Sequence, residues 1–117
     1  MARILVVDDV PESVRLIELV LRADGNEVTT VTSPALAFEA LRAQPTSLII
    51  ADQNMPGMTG ETLLERVAAL WPATRRLMLT ADMRIDPKID RGYRVMHKPF
   101  KLDALRDQVR GLLGSKQ

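Results

Sequence analysis

The sequence predicts an α/β fold in which five parallel strands form one sheet with helices on both faces. Three observations predict it. Short apolar runs recur along the chain and end in polar or turn residues, as strands buried on both faces require. Amphipathic segments with apolar residues at helical spacing separate them. The two kinds of segment alternate five times, which is the pattern of right-handed strand–helix–strand crossovers. The chain has 117 residues, 46% apolar and 26% charged, and suits one domain over residues 1–117. Aromatics are only 3%, so the core must be aliphatic.

Ile4-Leu5-Val6-Val7 is the first strand and runs into Asp8-Asp9. Pro11 and Glu12 suit a first helical turn, and Val14, Ile17, Val20 and Leu21 follow at helical spacing. Gly25 suits a left-handed helix stop. Glu27–Val31 is a second strand, polar enough for an edge. Ser33-Pro34 caps a second helix carrying Leu36, Phe38, Ala40 and Leu41. Ser47-Leu48-Ile49-Ile50-Ala51 is a buried third strand ending in Asp52, followed by the loop Gln53-Asn54-Met55-Pro56-Gly57. Gly60 opens a third helix with Leu63, Leu64, Val67 and Leu70, and Trp71-Pro72 ends it. Arg76–Leu79 is a fourth strand ending at Thr80. Between Ala81 and Tyr93, Pro87 and Gly92 leave room for only a short or irregular helix. Val95-Met96-His97 is a fifth strand leading to Lys98-Pro99-Phe100, and Leu102, Leu105, Val109 and Leu112 mark the last helix. No internal repeat is apparent, and Met55, Met58, Met78, Met83 and Met96 read as packing residues.

Several function classes are excluded early. There is no cysteine, hence no disulfide, thiol nucleophile or zinc–thiolate site. The net charge of +1 provides no global field for nucleic acid or membrane. No run approaches the ~20 apolar residues of a membrane span. The N-terminus is no signal peptide, so a cytoplasmic location is the default expectation. Dinucleotide fingerprints, P-loops and nucleophile elbows are absent.

A parallel sheet places every strand's C-terminal end on one edge, where ligands bind. Asp8, Asp9, Asp52, Thr80 and Lys98 all fall there. Taken singly, each has a plainer reading. Asp8 or Asp9 serves equally well as a helix cap, Asp52 as a turn former, Thr80 as a cap and Lys98 as a surface charge. Their shared edge favours a site. Three carboxylates without His or Cys favour a hard dication, and an open site with few protein ligands suits Mg2+ better than Ca2+. A metal-neutralised carboxylate can attack phosphorus, which makes Asp52 the candidate nucleophile, Lys98 a point charge for a phosphoryl oxygen and Thr80 a hydrogen-bond donor. His97, the single histidine, reads as structural rather than catalytic.

Ile4–Asp9, Asp52–Gly60, Leu79-Thr80-Ala81 and His97–Phe100, in that order across nearly the whole chain, together resemble the receiver domain of two-component response regulators, of the single-domain, chemotaxis-regulator-like kind. The resemblance implies a flavodoxin-like receiver fold with strand order 2-1-3-4-5, a common doubly wound order. It implies Mg2+ as cofactor, held by Asp9 directly, Asp8 mainly through water, Asp52 and the backbone carbonyl of Asn54. Asp52 is then the phospho-acceptor, Thr80 the switch hydroxyl and Lys98 the phosphoryl-binding lysine. Asn54 and Asp82 fall where the family tunes phosphoryl lifetime. The donor is a phosphohistidine on a sensor histidine kinase or histidine phosphotransfer protein, and phosphorylation switches a partner-binding surface. Such a protein catalyses only its own phosphorylation and dephosphorylation.

Two features depart from the family pattern. The interval from Thr80 to Lys98 is several residues short, so the family's fourth helix is truncated or remodelled around Pro87. The aromatic usually three residues before the lysine is Val95 here, and Tyr93 lies on the same strand face. From Arg75 to Lys101 there are eight Lys/Arg against three Asp, which suggests an acidic downstream protein partner at the fourth-helix/fifth-helix face. Direct binding to nucleic acid or membrane is not expected. The chain runs to Ser115-Lys116-Gln117 soon after the last helix, so a stand-alone switch protein is the leading expectation. The alternatives are a receiver module excised from a hybrid histidine kinase or larger regulator, a degenerate receiver that binds without phosphorylation, and an Mg2+-dependent phosphohydrolase. Asn54 stands where the hydrolase would need a second acid.

Overall fold

The computed structural model describes residues 2–114, so the expected segment Ser115–Gln117 lies outside the described residues. The apolar runs become five strands: β1 (Arg3–Val7), β2 (Glu27–Val31), β3 (Leu48–Asp52), β4 (Arg75–Thr80) and β5 (Arg94–His97). The amphipathic segments become α1 (Pro11–Ala23), α2 (Pro34–Ala43), α3 (Gly60–Leu70) and α4 (Leu102–Leu113). All strand pairs are parallel, in the order β2-β1-β3-β4-β5. The polar strand β2 lies at an edge, as its composition requires.

Side chains alternate along each strand, so each strand contributes to two cores. Ile4, Val6, Leu48, Ile50, Leu77 and Leu79 face α1 and α4, where Val14, Ile17, Leu21, Leu105 and Val109 meet them. Leu5, Val7, Ile49, Ala51 and Met78 face α2 and α3. Full burial of such a side chain contributes about 1.5–3 kcal/mol, which explains why strands this apolar fold only when covered on both sides. The helix ends follow local chemistry. Ser33 Oγ accepts from Leu36 N at the start of α2, Thr59 Oγ1 accepts from Thr62 N at the start of α3, and Gly25 takes φ +93 after α1. Asp24, at the electronegative end of α1, is clamped by the Arg106 guanidinium of α4 at 2.7 and 3.0 Å. That guanidinium holds the Asp24 carboxyl below its ordinary range.

The segment between β4 and β5 differs from expectation. It contains no helix at all, only successive turns. It is built on a short repeat, Asp82-Met83-Arg84-Ile85, Asp86-Pro87-Lys88-Ile89 and Asp90-Arg91-Gly92-Tyr93. In each tetrad the Asp Oδ1 accepts the N–H two residues on, at 3.0, 2.9 and 2.8 Å for Arg84, Lys88 and Gly92. Ile85 N and Ile89 N also donate to the carbonyls of Asp82 and Asp86. Aspartates that capture nearby N–H groups compete with the helix ladder, and Pro87 cannot donate to it. The fourth residues Ile85 and Tyr93 pack on the α2/α3 face beside Val95. Met83 does not pack as expected; it stands 74% exposed.

Candidate functional site

Strand order brings the candidate residues together. β1 pairs with β3 so that Val7 lies opposite Ala51, which sets Asp8 alongside Asp52. β4 pairs with both β3 and β5, and Thr80 lies opposite His97. Carboxylate oxygens of Asp8, Asp9 and Asp52 fall within 4.8 Å of one another. Lys98 Nζ reaches Asp52 Oδ1 at 3.1 Å, and Lys98 N donates to the Thr80 carbonyl at 2.8 Å. The Lys98–Pro99 peptide is cis. Thr80 is fully buried, and its Oγ1 accepts from Asp82 N at 2.9 Å. Asn54 is exposed in the loop that follows Asp52.

The plainer readings are partly realised as well. Asp8 Oδ1 accepts from Val10 N at 2.9 Å, which closes the turn before α1, whose N-cap Val10 has no side-chain cap. Thr80 ties a loop rather than capping a helix. His97 is structural in its contacts, with Nε2 2.7 Å from the Ile85 carbonyl. Tyr93 shares the face of Val95, as alternation requires, but its ring is engaged by the Arg76 guanidinium 5.3 Å from its centroid. Asp82 is engaged by both the backbone and the guanidinium of Arg84, which holds its carboxyl below the ordinary range.

The loop after Asp52 is pinned close to the site. Gln53 accepts from Gly60 N with its carbonyl at 2.9 Å and from Glu61 N with its side chain at 2.8 Å. A Cβ on Gly60 would lie 2.4 Å from the Asp52 carbonyl oxygen, so α3 begins against the acceptor strand only because this residue has no side chain.

Burial raises the Asp8 carboxyl above its ordinary value of 3.8; the Val10 N–H opposes this, Asp52 and Asp9 add to it, and Lys98 opposes them. The donor set therefore suits a hard dication: all-oxygen, acidic, crowded and lacking His or Cys. The shift carries a stability consequence. Below the ordinary carboxylate range, folded and unfolded chains both hold this proton and no penalty arises. As pH rises from 3.8 toward the raised folded value, the unfolded chain ionises first and the folded state loses stability. Asp8→Asn is expected to stabilise the metal-free protein at pH 7 by on the order of 1 kcal/mol, the water-screened repulsion of two charges at this spacing. It should also flatten the pH dependence, and any rise in Tm on adding Mg2+ should be smaller than in the wild type. Thermal melts from pH 4 to 7, with and without Mg2+, check this.

Comparisons with known proteins agree with the geometry. The family model "Response regulator receiver domain" matches residues 4–110. The response regulator receiver protein CpdR of Brucella abortus is 32% identical, the match covering 97% of this chain and 98% of that protein. Other relatives are much longer. The hydrogenase transcriptional regulatory protein HoxA of Cupriavidus necator is 35% identical over 93% of this chain, which spans only 23% of it, and the chain spans 49% of the Mycobacterium tuberculosis regulator TcrX at 29% identity. Among solved structures, response regulator TrrA of Thermotoga maritima in complex with Mg2+-BeF superposes with a TM-score of 0.87 at 28% identity, covering 97% of this chain and 100% of that one. TrrA bound to the histidine kinase ThkA matches with a TM-score of 0.83 at 27% identity, covering 97% and 99%. Receiver domains are regulatory modules of two-component systems, and among the described residues no helix is long and apolar enough to cross a membrane. The family model spans residues 4–110, CpdR matches at 32% identity over 97% of the chain, and solved receivers share the fold, so the chain belongs to the response regulator receiver domain family.

Proposed function

We propose that this domain, spanning residues 1–117, accepts a phosphoryl group on Asp52 from a phosphohistidine of a sensor histidine kinase or histidine phosphotransfer protein, and switches a partner-binding surface. The observation that carries this reading is the Lys98–Asp52 contact at 3.1 Å, with Asp52, Asp8 and Asp9 offering carboxylate oxygens within 4.8 Å of one another. A carboxylate oxygen of Asp52 attacks phosphorus, the bond from phosphorus to the donor imidazole nitrogen breaks, and that nitrogen leaves with the bonding pair. Asp8, Asp9, Asp52 and the Asn54 carbonyl would hold a Mg2+ ion, which supplies charge neutralisation and polarises the phosphoryl oxygens. Lys98 leaves its pairing with the free carboxylate for a phosphoryl oxygen, and the Thr80 hydroxyl donates to another. The TrrA complex with Mg2+-BeF supports the metal, and the ThkA–TrrA complex supports a kinase partner. The proposal holds whether the domain acts alone or within a larger regulator, and its location is proposed to be cytoplasmic.

The test is intact mass after incubation with acetyl phosphate, with Mg2+ and with EDTA. One alkali-labile phosphoryl adduct in Mg2+ alone is the expected result. Absence of an adduct while Mg2+ still binds would overturn the reading in favour of a receiver that works without phosphorylation.

The downstream partner is proposed to be an acidic protein that docks on the 81–93 segment and α4. The structure narrows the basic charge available there: Arg76, Arg84, Arg94 and Lys98 are engaged with Gly92, Asp82, Gln108 and Asp52. Arg91 is half-buried, so exposed Lys88 and Lys101 are the better positions for charge reversal. Partner binding that survives both reversals at low salt would argue against this surface.

A further inference from the structure

The turns between β4 and β5 are tied to the phosphoryl site at one end only. Asp82 N donates to the buried Thr80 hydroxyl at 2.9 Å. His97, which lies opposite Thr80 and immediately precedes Lys98, sits with Nε2 2.7 Å from the Ile85 carbonyl. A carbonyl only accepts, so Nε2 carries the proton and donates. Between these ties the first tetrad closes on itself, through Arg84 N to Asp82 Oδ1 and Ile85 N to the Asp82 carbonyl. The other end has separate anchors. Arg76 donates to the Gly92 carbonyl at 2.8 Å and to Leu64 on α3, and stacks over Tyr93.

We propose that His97 is a positioning residue that links occupancy of the phosphoryl site to the first tetrad, residues 82–85, while the third tetrad stays in place. The inference rests on the acceptor reading above. A Thr80 hydroxyl oxygen that moves toward a phosphoryl group on Asp52 moves away from Asp82 N–H. The internally closed tetrad then shifts as a unit, and the His97–Ile85 bond decides how far it lifts from β5. Gly92 and Tyr93 do not follow, because Arg76 is bonded to neither Thr80 nor His97 among the described residues. This arrangement needs neither a ring at position 95 nor a helix between β4 and β5, and the chain has neither.

Amide hydrogen exchange by NMR on the full chain tests it, with and without Mg2+ and beryllofluoride as the phosphoryl mimic. In the wild type the additions are expected to speed exchange at Asp82, whose N–H loses the Thr80 oxygen, by about fivefold, the equivalent of one hydrogen bond, and to move the Arg84 and Ile85 amide resonances without speeding their exchange, while Gly92 and Tyr93 keep their exchange within about twofold and their resonances in place. His97→Ala should move the Arg84 and Ile85 resonances with neither addition, and His97→Gln, which keeps an N–H donor, should restore the wild-type positions. Unmoved Arg84 and Ile85 resonances in His97→Ala, or a movement shared equally by Gly92 and Tyr93, overturns the proposal. If beryllofluoride leaves the Asp52 and Thr80 amides unmoved, the acceptor reading fails instead, and the His97 variants still decide whether the ring holds the tetrad.

Discussion

Asp52→Asn is expected to abolish the alkali-labile adduct under conditions that convert the wild type, a drop of at least about a thousandfold in rate. The amide nitrogen is delocalised and the amide oxygen uncharged, so neither attacks phosphorus as a carboxylate does. The fold should survive. Lys98 Nζ keeps an oxygen to bond at position 52, and loss of the charge removes one of the repulsions that raise the Asp8 carboxyl. The lost charge attraction to Lys98 opposes that relief, so the change in stability should stay within about 1 kcal/mol. Intact mass and a thermal melt on the same sample separate lost chemistry from lost structure. A labile adduct on a well-folded Asp52→Asn protein would move the acceptor to another carboxylate of the cluster.

Gly60→Ala should destabilise the protein by about 2–3 kcal/mol, although Ala ordinarily improves a helix by roughly 1 kcal/mol over Gly. The sign reverses because of the neighbours. The new Cβ would meet the Asp52 carbonyl oxygen at 2.4 Å, its carbon at 2.9 Å and the Gln53 Cα at 3.0 Å. All three are backbone atoms, and no rotamer change relieves them. At about 4 °C per kcal/mol for a domain of this size, the fall in Tm is roughly 8–12 °C. The strain falls on the acceptor residue itself, so adduct formation should also slow in whatever fraction stays folded. A Gly60→Ala protein that melts at or above the wild-type temperature would show that α3 starts further from β3 than this geometry requires.

Much of this was open to inspection in the chain. Ile4–Val7, Leu48–Ala51 and Leu77–Leu79 are apolar runs too short for helices and too continuous for exposed strands. Ser33-Pro34 and Gly25 carry their backbone preferences with them. The acidic edge was legible because a parallel sheet leaves no choice about which strand ends meet. The 81–93 segment goes further than the short or irregular helix that Pro87 and Gly92 lead one to expect, for a reason that is equally local. Asp82, Asp86 and Asp90 each capture an N–H that a helix needs.

Composition, periodicity and turn chemistry are properties of residues close in the chain. By themselves they determined the strand and helix order, the aliphatic core and the convergence of Asp8, Asp9, Asp52, Thr80 and Lys98 on one edge. Only the tertiary structure decided which of those groups touch. Lys98 pairs with Asp52 across 46 positions, Arg76 rather than the site engages Tyr93, and His97 reaches Ile85 across a loop. Such contacts depend on ångström-scale placement of side chains by packing between distant elements, and no local preference encodes that distance.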